Sequence, residues 1–185
     1  MGAALRIIIE KGPDKLSLRE VARRVDYSPA GLYEYFDGKD ALIEAVCAEG
    51  DRRLHAFLSS VGDDLPLDKY LVELGLAYLQ FAFQNKEHFM LMFTTLVSDD
   101  PIPVEALEGD GAYSILVAAV QRGINEGLIK TEDNFGIHDI SYSLWSLVHG
   151  MAILRLTNLS GLEYDFAPAE RKVIATLVRG LLIKT

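Results

Sequence analysis

Apolar residues recur along this chain at three- and four-residue steps rather than in alternation, which predicts helices throughout and an all-α fold. In GAALRIIIEKG, Ala4, Leu5, Ile8 and Ile9 fall on one helical face. Gly12 then supplies a C-terminal stop, and Pro13 cannot continue the helix. Ser17 precedes LREVARRV with Glu20 three residues on, the spacing of a capping box. Leu18, Val21, Ala22 and Val25 form the stripe expected to be buried, with Arg19, Arg23 and Arg24 facing away. The triplet DYS breaks that helix. Ser28 and Pro29 make a second N-cap with a first-turn proline, opening PAGLYEYF with Leu32 and Phe36 turned inward.

The next segment, DALIEAVCAEGDRRLHAFLSSV, reads as one long helix whose later turns, through Leu54, Phe57 and Leu58, enter a second core. PLDKYLVELGLAYLQFAFQN aligns Leu67, Leu71, Leu74, Tyr78 and Phe81, and KEHFMLMFTTLV adds Phe89, Met92, Phe93 and Leu96. The prolines and acids of VSDDPIPVEALEGDG predict a loop before a helix from about residue 112 to 126 that carries Tyr113, Leu116, Val117, Val120 and Ile124. The last helix, APAERKVIATLVRGLLIKT, carries Val173, Ile174, Leu177, Val178, Leu181 and Leu182. That is more apolar width than one core-facing stripe needs, so it implies a second partner surface.

Composition narrows the setting. The 185 residues are half apolar, enough for one sizeable core or a core with a small satellite domain. The single cysteine, Cys47, excludes an internal disulfide framework, and the absence of a secretory pattern in the sequence points to a reducing cytoplasm. The most apolar run, SYSLWSLVHGMAILRL, contains a histidine and several hydroxyls and is shorter than the ~20 apolar residues that cross a bilayer. Net charge is -9, yet through Cys47 seven Lys or Arg stand against eight Asp or Glu, a net of -1, which leaves -8 downstream. A near-neutral head with four basic residues between Lys15 and Arg24 can approach a polyanion that the acidic remainder repels.

Two short helices separated by about three residues form the pattern of a helix-turn-helix, whose second helix lays its N-terminal residues in the DNA major groove. Ala30 and Gly31 are then small so that the helix can approach base edges. Tyr33 and Tyr35 offer hydroxyls to phosphate, and Lys39 offers a point charge. The alternative is that the aromatics fill a core and the small residues serve a tight turn. A Ser-His-Asp order, a glycine-rich phosphate loop and paired metal-ligand motifs are missing from the sequence, so it assembles no catalytic centre and implies no cofactor. His138, Tyr142, Trp145 and His149 share a helical stripe, but the two histidines lie ~16 Å apart along it, too far for one ion. Glu87 with His88 and Asp51 with His55 read as solvated surface.

The run LSLREVARRVDYSPAGLYEYFDGKDALIEAV, following a short helix, resembles the N-terminal DNA-binding domain of TetR-family transcriptional regulators. The resemblance implies a domain at 1–47 and a helical effector-binding and dimerisation domain at 48–185. It implies base contacts at Ser28, Pro29, Ala30 and Gly31, phosphate contacts at Tyr33, Tyr35 and Lys39, and backbone contacts near Ser17, Leu18 and Arg19. Asp26 stands where the family commonly has glycine, a left-handed turn position that Asp tolerates. Tyr35 stands where histidine is common. Glu34 either accepts from a cytosine amine or sits solvated. The chain begins almost at its first helix, without the basic arm of many relatives, so a truncated start is expected.

Trp145, His149 and Gly150 resemble the Trp-x-x-x-His-Gly motif of one group of TetR-family C-terminal domains. The resemblance implies an effector pocket, with Tyr78, Phe81, Phe89, Met92, Phe93, Tyr113, Trp145 and His149 as lining candidates, although such a stripe set equally fits plain core. It also implies a homodimer through the last two helices, and a repressor released from a palindromic DNA operator by a small, largely apolar effector. The rival reading is a helical ligand-binding dimer without sequence-specific DNA binding.

Overall fold

The computed structural model describes residues 1–94 and 109–183, and these are helical with isolated bridge pairs in place of a sheet. They fall into two compact units. The first comprises residues 1–53 and 85–94, and the second comprises 54–84 and 109–183.

In the first unit, α1 (Gly2–Lys11) ends where Gly12, at φ 82°, donates its N–H to Ile8 O at 2.8 Å. That left-handed conformation suits glycine. A 3-10 turn (Pro13–Lys15) leads to α2 (Leu18–Arg24), then α3 (Pro29–Tyr33) and the first part of α4 (Lys39–Ser59). The core gathers Ala3, Ala4, Leu5, Ile7 and Ile8 with Leu18, Val21, Leu42, Ile43 and Val46, and Leu32 and Phe36 pack against it. Full burial of Ile7, Leu18 or Val46 contributes about 1.5–3 kcal/mol each.

Two expected core residues face solvent instead, Ile9 at 54% exposure and Val25 at 48%. The buried face of α1 centres on Ala4 and Ile7, which leaves Ile9 on its flank. Val25 is the C-cap of α2, with ψ 10°, and so leaves the helical stripe. The PAGLYEYF helix is also shorter than expected. It ends at Tyr33, placing Tyr35 in the turn beyond.

The unit also contains α6 (Lys86–Thr94), whose Leu91 joins this core. By packing, the first unit extends along α4 to Arg53 and takes up the chain again at residue 85. The expected Leu96 lies outside the described residues, as does most of the expected loop at 97–111.

In the second unit, α5 (Leu67–Gln84) is the central helix, packed by α7 (Ala112–Asn125), α8 (Ile137–Leu156) and α9 (Ala167–Leu181). Leu67, Leu71, Leu74, Tyr78 and Phe81 are all buried, as their spacing predicts. Gly75 permits the close approach of α5. A Cβ there would lie 3.2 Å from both Ile174 Cγ2 and Val148 Cγ1. Between α8 and α9, Arg155 holds the buried Glu170 through bonds of 3.0 and 3.1 Å while stacking over Phe83 and Phe166.

Candidate functional site

The first candidate surface is built by α2, α3 and the turn between them. Ser17 Oγ accepts from the Glu20 N–H at 3.2 Å, and Ser28 Oγ accepts from the Gly31 N–H at 2.9 Å, so both hydroxyls fix helix starts. Only half of the expected capping box forms at Ser17, because the Glu20 carboxylate binds Lys11, Arg23 and Arg24 instead. Bonds from Arg23 and then Lys11 lower its pKa to about 2. Arg24 also pairs with Glu10. Two of the three arginines of LREVARRV are thus drawn into this cluster, and Arg19 stands exposed outside it. Lys39 Nζ lies 3.7 Å from Asp14.

Asp26 adopts φ 52°, the left-handed geometry expected of it, and the Tyr27 N–H donates to Ala22 O at 3.0 Å, closing α2 as a Schellman turn. Pro29, Ala30, Tyr33 and Tyr35 are exposed, Tyr33 at 53% and Tyr35 at 70%. Gly31 has a close neighbour within the protein as well. A Cβ at Gly31 would meet Tyr27 Cε1 at 2.6 Å, so an aromatic ring from the turn fills that space. No signal in the sequence marks this contact, because Tyr27 precedes the Ser28 cap and so lies outside the helical spacing of α3.

The second candidate lies within the other unit. An apolar cavity of about 40 Å³ is bounded by Leu71, Leu74 and Gly75 of α5, Leu116 of α7, Leu144, Trp145 and Val148 of α8, Ile174 of α9, and Leu58. Tyr78 and Trp145 bring its polar atoms. Trp145 Nε1 donates to Tyr78 Oη at 3.2 Å, and that oxygen lies 2.8 Å from His149 Nδ1. An indole N–H can only donate, so Tyr78 Oη accepts from Trp145, while the donor in the Tyr78–His149 bond is set by the imidazole tautomer. Burial favours the uncharged form of both side chains, lowering the His149 pKa and raising that of Tyr78, with the Trp145 bond opposing the latter shift. Tyr113 packs on Trp145 with ring centroids 5.3 Å apart.

The first 46 residues match a family model described as bacterial regulatory proteins of the tetR family, and residues 71–177 match one described as a tetracyclin repressor-like C-terminal domain. The second alone covers more than half of the chain. The chain belongs to the TetR family. It is similar to YobS of Bacillus subtilis (strain 168), an uncharacterised HTH-type transcriptional regulator, at 23% identity over 98% of this chain and 90% of that protein. The fold is shared with a protein of unknown function from Rhodococcus sp. RHA1, at 25% identity and TM-score 0.78, covering 98% of this chain and 93% of the other. It is also shared with a regulatory protein in the tetR family from Rhodococcus RHA1, at 18% identity and TM-score 0.73, covering 100% and 95%.

As a TetR-family transcriptional regulator rather than an enzyme, the protein has its DNA-binding domain in the first unit. Of the expected pocket residues, Tyr78 and Trp145 line the cavity, His149 anchors Tyr78, and Tyr113 braces Trp145. Phe81 is fully buried, edge-on to Phe57 at 5.8 Å, and serves as core. Phe89, Met92 and Phe93 belong to the first unit and are not part of this cavity. Phe89 there packs 5.0 Å from Phe93, and Met92 lies over Gly50. The rest of the lining is aliphatic, which helical spacing alone cannot separate from ordinary core.

His88, expected at the surface, is buried at 8% exposure, and burial lowers its pKa. Among the described residues, no group of three His, Cys, Asp or Glu could hold a metal ion, and no helix is long and apolar enough to cross a membrane.

Proposed function

We propose that this TetR-family regulator is a ligand-responsive repressor, a cytoplasmic homodimer that occupies a palindromic operator until a small, largely apolar effector enters the second unit. The observation that carries the reading is the cavity itself. Its walls are aliphatic except for Tyr78 and Trp145, and it joins α5, α7, α8 and α9 around one apolar space. At about 40 Å³ it is far below the ~300–1,000 Å³ of a ligand-filled pocket, so an effector must part these helices to enter.

On the DNA side, Ser28, Pro29, Ala30 and Gly31 meet bases, Tyr33, Tyr35 and Lys39 meet phosphates, and Ser17 and Arg19 flank them on the backbone. Dimerisation through α8 and α9 fits their outward faces. Tyr142, Leu154 and Val173 are exposed, and a Cβ at Gly150 or Gly180 would meet nothing within 4 Å. Those glycines are therefore not required by packing within the protomer, but they would let a second copy approach closely. An effector that favours the parted arrangement weakens operator binding through linkage, with a coupling of ~1–3 kcal/mol changing affinity ~5- to 150-fold. The test is a titration of operator-bound protein with neutral hydrophobes. Release at saturating ligand supports the proposal, and cavity binding without any change in operator affinity contradicts it.

A further inference from the structure

We infer that Tyr27 is a further specificity-determining residue, supplying from the inter-helix turn the side chain that α3 lacks at Gly31. This rests on the DNA-binding reading of the first unit. Three observations converge. The Tyr27 ring occupies the space a Cβ on Gly31 would take, with Cε1 at 2.6 Å and Cζ at 3.2 Å. The left-handed Asp26 and the Tyr27–Ala22 backbone bond fix the residue just ahead of the Ser28 cap. The ring nevertheless remains 51% exposed, beside the exposed Pro29 and Ala30.

An aromatic side chain held in place by backbone geometry while half of it faces solvent is poorly explained by core packing. Val25, Tyr27, Tyr33 and Tyr35 concentrate the exposed large apolar side chains of this unit around α3, which marks a contact surface. Double-stranded DNA is the partner that a helix-turn-helix brings there. The Tyr27 hydroxyl can donate to or accept from a base edge, and the ring can cover a thymine methyl.

The test uses the full-length protein with the duplex it selects from a random pool, comparing wild type, Tyr27→Val, Gly31→Ala and the double variant by fluorescence anisotropy and repeat selection. Tyr27→Val should weaken binding about tenfold and change base preference within the half-site. Gly31→Ala should displace the ring and cause a similar change. The double variant should lose much less than the two single losses combined, since the ring contact is gone and only the methyl's 3.0 Å approach to Ser28 Oγ remains. Thermal melting of each variant separates these effects from unfolding, and Tyr27, lying outside the buried core, should leave the midpoint almost unmoved. Unchanged affinity and selected sequence in Tyr27→Val overturn the inference. Uniform weakening on all sequences does too, as do additive losses in the double variant. If wild type selects no sequence at all, the DNA-binding reading fails, and the inference with it.

Discussion

Tyr78 Oη and His149 Nδ1 lie 2.8 Å apart, joining α5 to α8 beside the apolar cavity, and Trp145 Nε1 donates to the same oxygen. Two members of the Trp-x-x-x-His-Gly motif thus converge on one buried hydroxyl. Tyr78→Phe removes that oxygen and strips both rings of this partner. The expected loss is about 1–3 kcal/mol of unfolding free energy, measured by urea denaturation.

The same bond has a pH signature. His149 and His88 are held below the ordinary imidazole value of 6.5 by burial, so each takes up a proton more readily when the chain unfolds. Their contribution to stability is complete above pH 6.5 and declines as pH falls below it. Replacing His149 with Gln should flatten the dependence of the melting temperature between pH 7 and pH 5, measured against wild type.

Glu20 behaves as a carboxylate version of the same linkage. Its pKa falls from 4.5 to about 2 through bonds from Arg23 and Lys11, so its contribution is present above pH 4.5 and lost as pH drops toward 2. Glu20→Gln retains the backbone N–H that Ser17 caps and loses the ion pairs. Melting curves across that window should show a shallower acid decline for the variant.

Trp145 is the chain's sole tryptophan and borders the cavity, so its emission reports on occupancy. Octanol should shift it saturably. Octanoate, which brings a carboxylate to walls without a charged side chain among the described residues, should bind at least about a hundredfold more weakly. Equal affinity for the two would contradict the apolar-effector reading.

Gly150 tests the dimer. Its open side makes Gly150→Arg compatible with the protomer's own packing, while a charged side chain would block a close α8 contact. Sizing with light scattering should give twice 20.5 kDa for wild type and a mass near 20.5 kDa for the variant.

Much of the fold was legible where backbone chemistry is local. Gly12, the Ser17 and Ser28 caps and the left-handed Asp26 each carry a conformational preference within a few residues, and each stands in the structure as its preference dictates. The spacing of Leu67 through Phe81 likewise identified the buried face of α5. Periodicity does not tell which core a face meets, however. Phe89, Met92 and Phe93 continue the apolar run after α5, yet they belong to the first unit, on the helix whose Leu91 joins that unit's core. The cavity's aliphatic walls were hidden for a related reason, since Leu74 or Val148 beside an empty space has the same sequence signature as one in solid core. Gly31 was read as an allowance for DNA; the structure adds a second neighbour, the Tyr27 ring, which approaches the same position.

Operator recognition is read out by selection of random duplex DNA with the full-length protein, at low and moderate salt. A dimeric repressor should enrich an inverted repeat whose half-sites are centred ~34–36 Å apart, retained at moderate salt. Weak, salt-sensitive binding without sequence enrichment would contradict it and leave a helical ligand-binding dimer in its place.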